Sequence, residues 1–305
     1  MKTTHVSDTW ECGSPYEQYV GRWSRKIAPL FLAWLDQPVG QRWLDVGCGT
    51  GALSGAILDH CTPSSLVGVE PSEAFLKVAV QNLAGQASFL AGNAAALPLE
   101  GGACDVVVSG LVLNFVPALP AAIVEMMRVT VEGGIIAAYV WDYGDGMEII
   151  KYFWEAAASL DSSAAQLHEG NRFLVCNPAA LKAAFEDAGL AEVGTTPLDV
   201  IADFADFDEY WQPFLGGQGP APAYAMSLPE GQRAALRAKL KSALPPATGG
   251  VISLRARAWA VRGATRSDAY KSINRTAGIH IQPRSLRDTS TPKPSLDPTR
   301  HSMDS

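Results

Sequence analysis

Short apolar runs alternate with stretches of helical periodicity along most of this chain. In residues 17–34, Val20, Trp23, Ile27, Leu30, Phe31 and Trp34 recur at helical spacing, which predicts an amphipathic helix or a pair of helices before the first strand. Residues 42–46 read as that strand, and a helix follows over about 51–59. Leu66 to Val69 is a short buried strand ending at Glu70. Pro71 and Ser72 then open a helix, with Ser72 as its cap. Ala87 to Leu90 and the β-branched run Asp105 to Ser109 predict the third and fourth strands, the fourth covered on both faces. A helix near 119–130 stops at Gly133-Gly134, and Ile135 to Val140 is the fifth strand. Strands alternating with helices at this pitch predict a doubly wound, mostly parallel sheet with helices on both faces.

Beyond Trp141 the alternation loosens. Helical stretches fall at 146–160 and 178–188, the second closed by Gly189. A strand follows at 192–201, a helix at 230–243, and a last strand over Gly250 to Gly263, which completes a seven-stranded, Rossmann-like α/β domain over 1–263. Residues 1–41 form its N-terminal helical cap. Residues 203–248, rich in aromatics, Pro and Gly, read as a lid-like insertion between the last two strands, placed to cover a ligand crevice. The tail, 264–305, has seven Lys or Arg against four Asp or Glu, frequent Ser, Thr and Pro, and no sustained apolar period, so it reads as disordered.

Composition narrows the partners. A hydrophobic fraction of 48% with 18% charged residues suits a chain that buries a sizeable core, and a net charge of −7 argues against nucleic acid or an anionic membrane as partner. The five cysteines, Cys12, Cys48, Cys61, Cys104 and Cys176, are scattered and never paired as C-x-x-C, so they suggest a reducing compartment and no metal site. No signal-peptide pattern is visible, and no apolar run approaches the ~18 residues that span a bilayer. The expectation is a soluble, cytoplasmic protein without membrane insertion. Its oligomeric state has no signature in the sequence.

The chemistry concentrates in Trp43 to Gly51, WLDVGCGTG. A strand that turns sharply into a helix needs residues without Cβ, both for the turn and for close approach of a ligand. The helix start then offers N–H groups to a nucleotide- or nucleoside-type cofactor. A dinucleotide loop also uses glycines and a downstream acid, a condition that Glu70 meets. Its fingerprint is G-x-G-x-x-G, whereas here the glycines stand at 47, 49 and 51 and position 52 is Ala52. Asp45 would repel a pyrophosphate and attract a cation such as an ammonium or a sulfonium.

The segments DVGCGTG, GVEPSE, GNAAALP and DVVVSGLVLNFVP, in this order and spacing, resemble class I S-adenosylmethionine-dependent methyltransferases over roughly residues 15–263. The flanking YVGRWSR and WDYGDGMEI resemble a small-molecule branch distantly similar to the ubiquinone/menaquinone-biosynthesis enzymes. The resemblance implies that Asp45, Gly47, Cys48, Gly49 and Gly51 line the methionine half of S-adenosyl-L-methionine. It implies that Glu70 accepts the two ribose hydroxyls, that Pro71 and Ser72 flank the adenine, and that Asn93 and Ala94 follow strand three. The family usually has an Asp at position 93; the Asn93 amide oxygen can still accept a hydrogen bond, so modestly weaker adenine binding is expected. Ser109 to Asn114 would face the methyl group and the acceptor.

Other candidates carry their plain alternatives. Cys48 fits a small space-filling residue better than a nucleophile, since no His or Lys stands near it in sequence. Trp141, Asp142 and Tyr143 follow strand five and either hold the acceptor or pack beneath the insertion. His168-Glu169 reads as a surface loop before a general-base pair, and Arg22 as a solvated charge before a cofactor contact. The reading is in-line methyl transfer to a small, largely apolar acceptor. A neutral thioether leaves, so the reaction depends on positioning, and no general base is assigned. The alternatives are an RNA or protein methyltransferase, an NAD-dependent oxidoreductase, and a non-catalytic cofactor-binding protein. The absence of an N-P-P-Y-type run at Ser109-Gly110-Leu111 weighs against a nucleic-acid amine methylase.

Overall fold

A computed structural model describes residues 22–216, 219–246 and 249–266. Most of the N-terminal cap and of the 264–305 tail lies outside the described residues. Seven strands form one sheet: β1 (Arg42–Val46), β2 (Ser65–Glu70), β3 (Ser88–Ala91), β4 (Cys104–Gly110), β5 (Thr130–Trp141), β6 (Ala191–Phe204) and β7 (Ile252–Ala264). Their order is β3-β2-β1-β4-β5-β7-β6. The first five are parallel, and β7 runs antiparallel to both β5 and β6. The chain thus winds outward from β1 to β3, returns to β4 and winds the other way. That reversal opens a crevice beyond the C-terminal ends of β1 and β4.

Unbroken buried runs show why the central strands sit where they do. Trp43 to Val46 and Val106 to Ser109 are all buried, which requires cover on both faces of the sheet. Arg42 locks the N-terminal ends of β1 and β4 by giving two guanidinium hydrogen bonds to Asp105, 2.7 and 3.0 Å long, plus a backbone one. Strand β5 starts earlier than its glycines suggest. Thr130 pairs with Cys104 directly after the helix, and the register then jumps to Ile135 opposite Val106. The helix ends at Val129, and the glycines expected to stop it lie instead within the strand at this irregularity, where a Cβ on Gly134 would stand 2.7 Å from the Asp105 carbonyl.

Helices α1 (Arg22–Leu35), α2 (Ala52–Cys61), α3 (Glu73–Asn82), α4 (Leu119–Val129), α5 (Glu148–Leu160), α6 (Glu169–Arg172) and α7 (Pro178–Asp187) complete the layers. In α1, Trp23, Ile27, Phe31 and Leu35 are buried and pack toward α2 and β6. The side chain of Arg22 lies outside the described residues. Ser72 caps α3 as its position predicts, accepting from the Phe75 N–H at 3.4 Å.

The segment between β6 and β7 holds α8 (Phe207–Trp211), α9 (Pro220–Ser227) and α10 (Glu230–Ala243). An aromatic cluster ties it to α5: the Phe153 and Phe214 rings stack at 4.6 Å, and the Tyr210 hydroxyl donates to the Ile149 carbonyl at 2.8 Å. These aromatics serve the core. Among the described residues no helix is long and apolar enough to cross a membrane.

Candidate active site

Loops after four parallel strands meet at the crevice and enclose a cavity of about 490 Å³, within the range of about 300–1,000 Å³ usual for small-molecule sites. Gly47 to Thr50, Ala52 and Leu53 come from the β1–α2 turn and the start of α2, Glu70 and Pro71 from the β2–α3 turn, Phe75 from α3, Gly92 to Ala94 from after β3, and Gly110 to Val112 with Asn114 to Pro117 from after β4.

The turn after β1 demands glycine at two positions for different reasons. Gly47 has φ 75°, and a Cβ there would stand 2.6 Å from Val112 Cγ1. Gly49 has φ 54° and open space where its Cβ would be, so a ligand can approach its backbone directly. Gly51, expected among the ligand contacts, instead caps α2 with φ 89° on the side facing Leu83, away from the cavity.

Two buried carboxylates define the electrostatics. Asp45 Oδ2 accepts from Ser54 Oγ at 2.7 Å, while Oδ1 has no hydrogen-bond partner among the described residues. Burial raises this carboxyl to about 7, and Glu70 adds to the rise. A carboxylate with one oxygen unmatched inside a closed site suits a cation. Glu70 spans two loops: Oε2 accepts from the Gly49 N–H at 3.1 Å, and Oε1 from the Ser72 N–H at 3.0 Å. Each oxygen keeps a second lone pair for a ligand hydroxyl. Burial raises Glu70 and the two N–H groups oppose the rise.

Cys48 lines the cavity but fills space above Gly68, where a Cβ would come within 2.9 Å of its sulfur. Burial and the two carboxylates push its thiol upward, so it stays protonated. Asn93 and Ala94 line the cavity, and Asn93 Oδ1 already takes the Ala95 N–H at 2.8 Å in a tight turn. One lone pair is left there for a ligand.

Several expected contacts fall elsewhere. Ser109 is fully buried, and its hydroxyl donates to the Val46 carbonyl at 2.8 Å, tying β4 to β1 beneath the cavity floor. Ser109→Ala should therefore lower stability by about 1 kcal/mol without changing ligand affinity, as a thermal melt and a binding titration would show. Ser72 contributes a helix cap and its backbone N–H; Pro71 and Phe75 form the wall. Trp141 is buried opposite Ala258. Asp142 holds a turn by accepting from the Asp145 N–H at 3.2 Å. Tyr143 lies behind the cavity wall, its ring 5.8 Å from that of Phe173. His168 and Glu169 form no exposed loop. Glu169 is buried and accepts from the Trp154 indole N–H, and burial, with Lys151 second, lowers His168. No described residue of 203–248 lines the cavity.

The cavity also draws in Leu53, Tyr139 and Phe173, which no local pattern announced, and Ser24 and Phe115 from the segments YVGRWSR and DVVVSGLVLNFVP. Leu111 stands out by its backbone. It is buried with φ 62°, and its N–H reaches the Tyr139 carbonyl at 2.7 Å. Such strain in a non-glycine residue marks a wall held to a shape.

Residues 44–138 match a family profile described as "Methyltransferase domain". Among curated proteins, the chain is similar to a malonyl-[acyl-carrier protein] O-methyltransferase of Serratia marcescens, 30% identical over 157 residues that cover 48% of this chain and 60% of the relative. It is also similar to a ubiquinone/menaquinone biosynthesis C-methyltransferase of Methylobacterium nodulans, 32% identical over 167 residues, 50% of this chain and 66% of the relative. The chain thus spans under two thirds of either relative's length. Among solved structures, the Haemonchus contortus phosphoethanolamine N-methyltransferase 2 in complex with S-adenosyl-L-methionine superposes with a TM-score of 0.52 at 14% identity, over 87% of this chain and 59% of that one. The YcgJ protein from Bacillus subtilis superposes with a TM-score of 0.52 at 16% identity, over 81% and 99%. At such identities the structural likeness establishes the fold.

Proposed function

We propose that this chain transfers a methyl group from S-adenosyl-L-methionine to a small, largely apolar acceptor, a reading supported by the match of residues 44–138 to a methyltransferase-domain profile. The observation that carries the proposal is the pair of buried carboxylates at the switch point: Asp45 with one oxygen unmatched, and Glu70 with both oxygens held by two loops. A dinucleotide would bring its pyrophosphate against Asp45, whereas S-adenosyl-L-methionine brings cations and ribose hydroxyls.

The residues present fit that cofactor. Asp45 would meet a cationic group of the methionine half, and the open backbone at Gly49 would allow close approach. Glu70 would accept the ribose hydroxyls. Pro71, Phe75, Asn93 and Ala94 would enclose the base, with Asn93 offering the one lone pair that its turn leaves. When bound, the cofactor supplies an electrophilic methyl group on a sulfonium. The protein's share is to exclude water and hold the acceptor in line. Leu111 and Val112 shape the wall on that side, and no general base is assigned. The two curated relatives differ by name in both acceptor and methylated atom, so they do not select one for this chain. A cytoplasmic location and no nucleic-acid partner belong to the same reading.

The test is a calorimetric titration of the full chain with S-adenosylmethionine and S-adenosylhomocysteine, followed by incubation of methyl-labelled cofactor with cell-extract fractions. Saturable binding and label in a small organic fraction are expected. Saturable NAD binding in place of either ligand would overturn the cofactor, label confined to RNA or protein would overturn the acceptor class, and binding without transfer would leave a cofactor-binding protein.

A further inference from the structure

The wall that would enclose the base of the cofactor comprises Pro71, Phe75, Gly92, Asn93 and Ala94, and Asn93 is its polar side chain. Strand pairing fixes where that side chain stands. Glu70 lies opposite Ala91 in the parallel register of β2 and β3, so the loops that leave these strands run side by side along the cavity. The Gly92 N–H donates to the Glu70 carbonyl at 3.2 Å, and a Cβ on Gly92 would stand 2.9 Å from both Val69 and Pro98. With Glu70 on the ribose, the attached base falls against this second, closely packed loop.

The turn also settles which way the Asn93 amide faces. The Asn93 carbonyl accepts from the Ala96 N–H at 3.0 Å, and Asn93 Oδ1 accepts from the Ala95 N–H at 2.8 Å. Only the oxygen end of an amide can take an N–H, so the other end is the nitrogen, with two donors beside the one lone pair left on Oδ1. An aspartate in the same turn would keep the bond to Ala95 and present a second oxygen where Asn93 has its NH2. That oxygen would accept from the amino group of a 6-aminopurine and repel the carbonyl of a 6-oxopurine, since two acceptors share no proton. The amide can meet either group, by its lone pair or by its N–H groups. Strong rejection of an analogue needs a buried polar group left unmatched. Asn93 is exposed, so water completes whatever hydrogen bond a given base does not.

We propose, resting on the methyltransferase reading, that Asn93 makes the cofactor site indifferent to the 6-substituent of the purine, so that the site takes a 6-oxopurine nucleoside thioether as readily as the 6-aminopurine one. Asn93 determines specificity by what it does not reject. Hydrolytic deamination of S-adenosylhomocysteine consumes water, replaces the 6-amino group with oxygen and releases ammonia. Its product still competes for this site.

The test is calorimetric titration of the full chain at pH 8 with S-adenosylhomocysteine and with S-inosylhomocysteine, its 6-oxo counterpart. Wild type should bind the two within about threefold of each other, the scale of one exposed hydrogen bond. Asn93→Asp, ionised at this pH, should bind the 6-amino compound at least about tenfold more tightly than the 6-oxo one, because only one of them can donate to the new charge. This variant keeps the acceptor for Ala95, and a thermal melt confirms that it folds. Asn93→Ala should weaken both ligands alike and leave their ratio at the wild-type value. A wild-type preference of about tenfold or more in either direction would overturn the proposal, by placing a discriminating group elsewhere on the base. An unchanged or reversed ratio in Asn93→Asp would remove position 93 from the base. S-adenosylhomocysteine is titrated into wild type first; if it fails to bind, the methyltransferase reading itself falls.

Discussion

Asp45→Asn is expected to weaken S-adenosylmethionine binding by about 10- to 150-fold at pH 8, the equivalent of one hydrogen bond between a buried charge and its partner. The loss should shrink toward pH 6. In the ligand-free protein burial holds the Asp45 carboxyl at about 7, so below that pH a cationic ligand must first displace a proton. Wild-type affinity should fall about tenfold for each pH unit below 7, and the Asn variant, with nothing to titrate at this position, should show a flat profile. Stability moves the opposite way. Folding raises this carboxyl from 3.8 to about 7, so the native state holds more protons than the unfolded chain between those values. The ligand-free protein therefore loses stability from this group as pH rises through that window, and keeps it below. Thermal melts of the ligand-free protein should show this slope reduced in the variant, and added cofactor should restore more stability to wild type than to Asn at pH 8. Equal affinities at pH 8 would remove Asp45 from the site.

How far this site could be read from the chain depends on how local its parts are. The turn after β1 was legible because its geometry dictates residue type: positive φ at Gly47 and Gly49 and the wall of Val112 leave little room for side chains. Glu70 was legible because an acid at a strand end, followed by a helix cap, occupies a fixed place relative to that turn. The acceptor side was not. Phe173 reaches the cavity through a helix and a loop beyond β5, and nothing near it in sequence signals a site. Tyr139 looked like one more apolar residue of a buried strand.

For Trp141 and Asp142 the chain left acceptor contact and packing both open, and neither residue lines the cavity. Position at the end of β5 was right, but Trp141 is enclosed by its pairing with β7, and Asp142 is occupied by its own turn. The segment 203–248 was read as a lid because it joins two late strands. In the sheet, β7 and β6 lie at the far edge, beyond β5, and the described part of their connection packs on α5. Order across a sheet is a tertiary fact that hydrophobic period does not encode. The Gly133-Gly134 pair was read as a helix stop, but the helix ends at Val129 and the glycines lie inside the strand, at the register shift beside β4.

Glu70 makes the sharper second test, because its two oxygens are already committed. Glu70→Ala removes the acceptors of both the Gly49 and Ser72 N–H groups along with those proposed for the ribose hydroxyls. With hydrogen bonds to a charged group contributing about 1.5–3 kcal/mol each, cofactor affinity should fall by at least about a hundredfold. Glu70→Gln keeps the size and shape, and would ordinarily be the mild replacement. Here it should behave nearly as badly as Ala. One end of a glutamine amide is an NH2, and whichever way the group turns, that end faces a backbone N–H, from Gly49 or from Ser72. A donor against a donor pushes the two loops apart, while Ala leaves space that water can fill. Glu70→Asp keeps the charge on a shorter stem, reaches one loop at a time and should retain an intermediate affinity. The expected order for S-adenosylhomocysteine binding is therefore wild type, Asp, then Ala and Gln together, measured by titration calorimetry with circular dichroism to confirm folding. A Gln variant within a few-fold of wild type would show that Glu70 does not brace the two loops, and that the ligand's hydroxyls are held elsewhere.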